Sequence, residues 1–71
     1  MMYKFHKGQR VRIVGNSTIP HYAILGNIGT IEALHTYGSL PSYYVRCKTT
    51  NGLPAQVIIE GDLVAIGAMV V

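Results

Sequence analysis

Glycine spacing is the feature that most constrains the fold of this chain. Eight glycines are spread over 71 residues, at positions 8, 15, 26, 29, 38, 52, 61 and 67. The longest run without glycine, residues 39–51, still contains Pro41. A helix prediction needs a long stretch with 3.6-residue periodicity, and no segment offers one. Short runs of β-branched and aromatic residues lie between the glycines, so the sequence predicts an all-β fold.

Two of the predicted strands show alternating polarity. In residues 9–14, Val11 and Ile13 lie on one face and Arg10 and Arg12 on the other. This is typical of a half-buried strand with a basic outer face. Residues 43–49 alternate in the same way, with an inner set of Tyr43, Val45 and Cys47 and an outer set of Tyr44, Arg46 and Lys48.

Three more strands complete the prediction. Residues 28–34 form the second strand of the chain, although the pattern does not decide which of its sides faces inward. Asn51-Gly52 is a strong turn signal that makes residues 55–59 a return strand, and residues 63–66 form the last strand. Residues 15–27 and 35–42 are predicted as loops, and residues 60–62 as a tight turn.

Five short strands, a long first loop and a tight turn before the last strand describe a small five-stranded SH3-like barrel. We predict a single domain over residues 1–71, with the barrel at about 5–66 and an apolar tail at 67–71. An OB-fold is the competing five-stranded architecture, but it usually has a helix between its third and fourth strands. The Asn51-Gly52 hairpin leaves no space for that helix.

Spaced glycines and apolar residues also carry a family resemblance. The opening motif is Phe5-x-x-Gly8-x-x-Val11-x-Ile13-x-Gly15-Asn16, followed by Gly26-x-x-Gly29-x-Ile31. It resembles the opening of small SH3-like proteins of bacteriophages and prophages, and it is similar to KOW-type segments. Tyr43-x-Val45-x-Cys47 and Asp62-Leu63-x-x-Ile66 resemble the closing half of that fold. The resemblance implies a fold and a phage or bacterial origin, with no activity attached.

Composition excludes several classes of protein. The chain is 49% hydrophobic and only 13% charged, the reverse of a disordered sequence. Its one cysteine, Cys47, excludes a disulfide scaffold. The first dozen residues contain no apolar segment of the kind found in signal peptides, and the apolar run of residues 63–71 is far shorter than the ~20 residues of a membrane-spanning helix. We therefore expect a cytoplasmic protein, in the host cytoplasm if it is phage-encoded.

No residue pattern predicts catalysis, a cofactor or a metal site. Glu60 and Asp62 flank a glycine, and we expect them to end and solubilise that turn. The three histidines are not spaced as ligand pairs, and only one cysteine is present to join them. Gly26-x-x-Gly29 lacks the following helix of a phosphate-binding loop. The sequence therefore predicts a non-enzymatic protein.

The basic and aromatic residues predict a binding site for an anionic ligand. Arginine can hold phosphate while a tyrosine ring stacks on a base. The formal net charge is +3, and the outward positions of two strands carry most of the positive charge. The candidate ligand-binding residues are Arg10, Arg12, His21, Tyr22, Tyr44, Arg46 and Lys48.

An apolar surplus predicts self-association. Val57, Ile58 and Ile59 are consecutive, so at least one of them must face away from the barrel core. Together with the apolar tail, they favour a homo-oligomer. Three functional hypotheses follow: a module that binds nucleic acid or a nucleotide, an anti-defence protein that sequesters a cyclic nucleotide immune signal as a homo-oligomer, and an adaptor or inhibitor that docks on a host protein.

Overall fold

The computed structural model describes residues 2–17 and 19–67, which form five antiparallel strands in one sheet. The strands are β1 (Arg10–Ile13), β2 (Ile28–Tyr37), β3 (Leu40–Arg46), β4 (Ala55–Ile59) and β5 (Leu63–Ala65). They lie in the order β4-β3-β2-β1-β5. A 3-10 turn, Glu60–Asp62, connects β4 to β5. The predicted small five-stranded all-β barrel is confirmed, whereas residues 68–71 of the predicted tail lie outside the described residues.

The core is formed by the inward-facing residues of the alternating strands. Val11 and Ile13 are fully buried while Arg10 and Arg12 are exposed, as the sequence predicts. On β2, whose inner side the sequence left open, Ile31 is the buried side chain. Each such valine or isoleucine contributes roughly 1.5–3 kcal/mol when it is fully buried. The core cluster comprises Phe5, Val11, Ile13, Ala23, Ile31, Tyr43, Val45, Ile58 and Leu63.

The predicted loop at residues 35–42 is wrong, because β2 and β3 continue through it as a tight hairpin. Tyr37 pairs with Leu40, so only two residues make the turn. Gly38 has a φ of 60° and Ser39 has a negative φ, as in a type II′ turn with glycine at its first central position. Pro41 fits because β4 pairs with β3 only from Ser42 onward, which leaves the proline with a strand on one side alone.

The fold buries most of the consecutive apolar run Val57, Ile58 and Ile59. Ile58 is fully buried opposite Tyr43 and belongs to the core cluster. Ile59 is also buried, although it points to the opposite side, and Val57 is half-buried. Ile58 is therefore not available to a subunit interface. Self-association stays a prediction.

Both acidic residues of the predicted turn hold other parts of the chain. The Asp62 carboxylate is buried and accepts hydrogen bonds from the Ser17 backbone N–H (3.1 Å) and hydroxyl (2.7 Å). Glu60 accepts hydrogen bonds from the Lys4 backbone N–H and from the Tyr43 hydroxyl. The expectation that these acids merely solubilise the turn is wrong, since they fix the first loop and the N-terminal segment to the barrel.

Tyr43 connects this network to the core. Its ring is fully buried, and its hydroxyl accepts a hydrogen bond from the Phe5 backbone N–H at 3.1 Å. Desolvation by burial, followed by the hydrogen bond to Glu60, raises the pKa of Tyr43 from 10.0 to about 12. The folded chain therefore retains the tyrosine proton at a pH where the unfolded chain has lost it.

This difference predicts a loss of stability at high pH. The raised pKa of Tyr43 contributes fully to the free energy of unfolding below about pH 10. This contribution decreases as the pH rises toward about 12, because only the unfolded state deprotonates in that interval. Urea unfolding of the wild type and of Tyr43→Phe at several pH values checks it. We expect the free energy of unfolding of the wild type to fall relative to that of the variant between these two pH values. A difference in unfolding free energy that does not change with pH would contradict the raised pKa.

Candidate functional site

A row of polar residues crosses the outer side of the sheet. Arg10 of β1 pairs with Thr30 of β2, and Thr30 pairs with Arg46 of β3. Directly paired residues of antiparallel strands project their side chains to the same side. Both arginines are exposed, so two guanidinium groups flank Thr30 on one solvent-facing surface.

A β-bulge interrupts β2 next to this row. Ile31 pairs with Val45 and Ala33 pairs with Tyr44, which leaves Glu32 as the extra residue. Its carboxylate Oε2 accepts a hydrogen bond from Nε of Arg46 in an ion pair. Both side chains are partly exposed, and such surface pairs contribute only about 0–1 kcal/mol. The remaining guanidinium N–H groups of Arg46 can still bind a ligand.

An open groove of about 540 Å³ lies beside the bulge. Its walls are Lys7, Gly8, Thr30, Ile31, Glu32, Ala33 and Tyr44. Lys7 reaches this position because the segment before β1 is hydrogen-bonded to β2, from Gly8 N–H to the Ile31 carbonyl (2.8 Å) and from Ile31 N–H to the Gln9 carbonyl (2.9 Å). The groove therefore brings together an ammonium group, a hydroxyl, a carboxylate and an aromatic ring.

Tyr44 presents an aromatic ring to the groove. Its side chain is 44% exposed. The His35 ring contacts it edge to face, with 5.3 Å between ring centroids and an interplanar angle of 88°. Edge-to-face pairs of this kind are favourable. Tyr44 is thus a partly exposed ring on which a base can stack.

We define the basic face as the side of the sheet that carries the row and the groove. Its members are Lys7, Arg10, Arg12, Thr30, Glu32, Tyr44 and Arg46. Four of these are basic and one is acidic, which gives a formal charge of +3, equal to that of the whole chain. The other charged side chains, Lys4, Lys48, Glu60 and Asp62, cancel one another. The net charge of the protein is therefore concentrated on the basic face.

Arg12 lies at the margin of the basic face. Its Nη1 donates a hydrogen bond to the Gly26 carbonyl at 2.6 Å, so the side chain also holds the end of the first loop. Its strand partners are Ile28 and Val64, which are both exposed. Arg12 therefore combines a structural contact with a position between two exposed apolar side chains.

His21 is a predicted ligand residue that the structure places elsewhere. Its side chain is buried, its Nε2 lies 2.7 Å from the Gly15 carbonyl, and its Nδ1 accepts a hydrogen bond from the Ala23 N–H. Because Nδ1 accepts the Ala23 N–H, Nε2 is the ring nitrogen placed to donate to the Gly15 carbonyl. Both ring nitrogens are engaged, and we leave His21 out of the candidate site.

Tyr22 and Lys48 lie where the first loop meets the β3–β4 connection. The Tyr22 carbonyl accepts a hydrogen bond from the Thr50 N–H (2.8 Å), and the Lys48 carbonyl accepts one from the Ile24 N–H (3.1 Å). Both side chains are exposed. Lys48 follows the end of β3, Tyr22 belongs to the first loop, and neither lines the groove. Of the seven predicted residues, the structure brings Arg10, Arg12, Tyr44 and Arg46 onto the basic face.

The structure adds residues that sequence patterns did not select for the ligand site. Glu32 enters the groove through a bulge, which no polarity pattern of residues 28–34 indicates. Lys7 comes from the segment before β1, and it reaches the groove only through the backbone contacts of its neighbours with β2. In both cases the missing information was strand register.

Comparison with protein-family models, with curated proteins and with solved structures found no match for this chain. Within residues 2–17 and 19–67, no helix has the length and apolar character needed to cross a membrane. In the same described part of the chain, no three His, Cys, Asp or Glu side chains form a group that could hold a metal ion.

Proposed function

We propose that this protein is a non-enzymatic binding module for single-stranded nucleic acid, which it holds on the basic face. The observation that carries the proposal is the concentration of the net charge on the side of the sheet where Tyr44 is exposed in a groove. Positively charged grooves with exposed aromatic rings are the usual means of binding single strands.

The chemistry of each contact follows from the residue types. Arginine binds phosphate through parallel, charge-assisted hydrogen bonds. Arg10 and Arg46 lie two strands apart, which is roughly 10 Å in a sheet, so they contact different phosphates. A base that stacks on Tyr44 adds roughly 1–3 kcal/mol. A duplex offers no unstacked base to this ring, and for that reason the proposal specifies a single strand.

Salt dependence tests the proposal. A fluorescent thymidine strand of about 10 nucleotides is titrated with protein at several salt concentrations, and anisotropy reports binding. Contacts from Lys7, Arg10 and Arg46 to three phosphates predict a slope of about −2 for log affinity against log salt, since each contact to a single strand contributes about −0.7. Absence of binding at low salt, or affinity independent of salt, would overturn the proposal.

One observation favours a second candidate, the sequestration of a cyclic nucleotide between copies of the chain. Arg12 lies between the exposed Ile28 and Val64, so a second copy that covered these apolar side chains would enclose the guanidinium group. This candidate predicts that a cyclic dinucleotide increases the particle mass in light scattering. A monomer of 7.7 kDa with and without the cyclic dinucleotide would exclude it.

A further inference from the structure

Glu32 is the unexplained member of the basic face. A carboxylate repels phosphate, so a surface that only bound phosphates would be better without it. The bulge of β2 nevertheless directs Glu32 into the groove. Bulges are frequent beside binding sites, where they redirect a side chain. Besides its ion pair with Arg46, Glu32 is therefore placed to bind a ligand group that a carboxylate attracts.

The hydrogen bonds of Glu32 leave acceptor sites on both of its oxygens, since a carboxylate oxygen that accepts one hydrogen bond has a second lone pair. Oε2 accepts the hydrogen bond from Arg46, whereas Oε1 has no partner within the residues that the structure describes. The ion pair lies beside the groove that Tyr44 also lines. A base stacked on the Tyr44 ring would extend its edge into the space next to this carboxylate.

Base edges differ in what they offer to a carboxylate. Guanine presents two adjacent donors on its Watson–Crick edge, N1–H and the exocyclic N2 amino group. Thymine presents one N–H between two carbonyl oxygens, which repel a carboxylate. Adenine and cytosine each present an amino group next to a ring-nitrogen acceptor. Single-stranded bases are read on these edges, and a carboxylate accepts from donors only.

We propose that the groove is a guanine subsite. The guanine ring stacks on Tyr44, the Glu32 carboxylate accepts hydrogen bonds from N1–H and N2–H, and Lys7 binds a neighbouring phosphate. The proposal rests on the proposed function and specifies which base of a single strand the protein prefers. Hydrogen bonds to charged groups are strong enough for the two contacts to produce about a tenfold preference for guanine.

Base substitution in the nucleic acid tests the subsite without changing the protein. Three otherwise identical thymidine strands carry thymidine, deoxyguanosine or deoxyinosine at the central position. We expect the deoxyguanosine strand to bind about tenfold more tightly than the thymidine strand. Inosine lacks the N2 amino group, so it should lose much of that gain. Equal affinity for the three strands would overturn the subsite and leave the proposed function intact.

Glu32→Gln provides an independent test with effects of opposite sign. The variant removes a negative charge from the basic face. The all-thymidine strand should therefore bind the variant at least as tightly as it binds the wild type. The preference for deoxyguanosine should disappear, because the amide no longer offers two acceptors. Glu32→Asp, which keeps the charge, serves as the matched control and should retain part of the preference. Full preference in Glu32→Gln would contradict the assignment.

Free guanosine monophosphate distinguishes the source of the base. If guanine is read within a strand, the mononucleotide should compete only weakly, because it makes one phosphate contact. If it competes as strongly as the deoxyguanosine strand, the groove is a site for a free nucleotide, and both the strand subsite and the proposed function fail. If no strand binds at low salt, the proposed function fails and the subsite proposal fails with it.

Discussion

Replacing Gly29 with valine is expected to lower the free energy of unfolding by about 3 kcal/mol, the upper end of the range for an overfilled interior. A Cβ atom at this position would lie 2.6 Å from Cγ1 of Val45 and 2.9 Å from the Arg46 carbonyl oxygen. The Val45 side chain is fully buried in the core, and the backbone oxygen belongs to β3 and can shift only if the β2–β3 pairing is disturbed. Valine therefore forces the two strands apart.

Gly61→Ala is the matched control for this prediction. Gly61 lies in the 3-10 turn, its φ is not positive, and a Cβ there would have no neighbour within 4 Å among the described residues. Its replacement should change stability by only a few tenths of a kcal/mol, as for other surface substitutions. Urea unfolding of the three proteins gives the comparison. Equal midpoints for Gly29→Val and Gly61→Ala would contradict the close approach of β2 and β3.

The second large effect concerns ligand binding. The double variant Arg10→Gln and Arg46→Gln should weaken binding of a thymidine strand on the order of 100-fold at low salt. Each arginine–phosphate contact is charge-assisted and contributes about 1.5–3 kcal/mol, so losing one costs about tenfold or more. Both side chains are exposed on the outer side of the sheet, and the fold should therefore tolerate the change. Anisotropy titrations supply the affinities, and urea unfolding checks the stability.

Lys48→Glu is the control that separates position from charge. Like the double variant, it lowers the formal net charge of the chain from +3 to +1. Lys48 lies beyond the end of β3, next to the first loop, and it does not line the groove. Its replacement should therefore weaken binding much less than the loss of the two arginines. Equal losses in the two variants would mean that binding depends on net charge alone.

Polarity patterns predicted which side chains of a strand face solvent, but they did not predict which residues pair with one another across strands. Alternation along β1 and β3 correctly placed Arg10, Arg12, Tyr44 and Arg46 in solvent. That Arg10 and Arg46 flank the same residue, Thr30, depends on register, which is set by long-range pairing. No local pattern contains that information.

Gly29 and His21 show two further limits of sequence interpretation. Both glycines of the Gly26-x-x-Gly29 motif are turn formers by residue type, but only Gly26 has a positive φ, at 88°. Gly29 is required for a different reason, the approach of β3. His21 lies in a loop rich in turn formers, which normally indicates exposure. Its burial depends on the Gly15 carbonyl and the Ala23 N–H, which reach its ring only once the loop has folded.

The hairpin between β2 and β3 shows how local signals can be misread. Gly38 and Pro41 are turn formers, and together they predicted a loop. The turn needs only Gly38 and Ser39, and Pro41 is compatible with β3 because it lies where β4 does not pair. Longer strands bring His35 opposite Ser42 and against the Tyr44 ring, an arrangement that a loop would not provide.

Mapping of the bound strand on the protein is the most direct test of the basic face. Amide spectra of the ¹⁵N-labelled protein are recorded while an unlabelled thymidine strand is added. The proposed function predicts that the largest shift changes cluster on the basic face, around Thr30, Tyr44 and Arg46, with little change at Ser17 and Asp62. Changes centred on the Tyr22–Thr50 contact, or no changes at low salt, would contradict it.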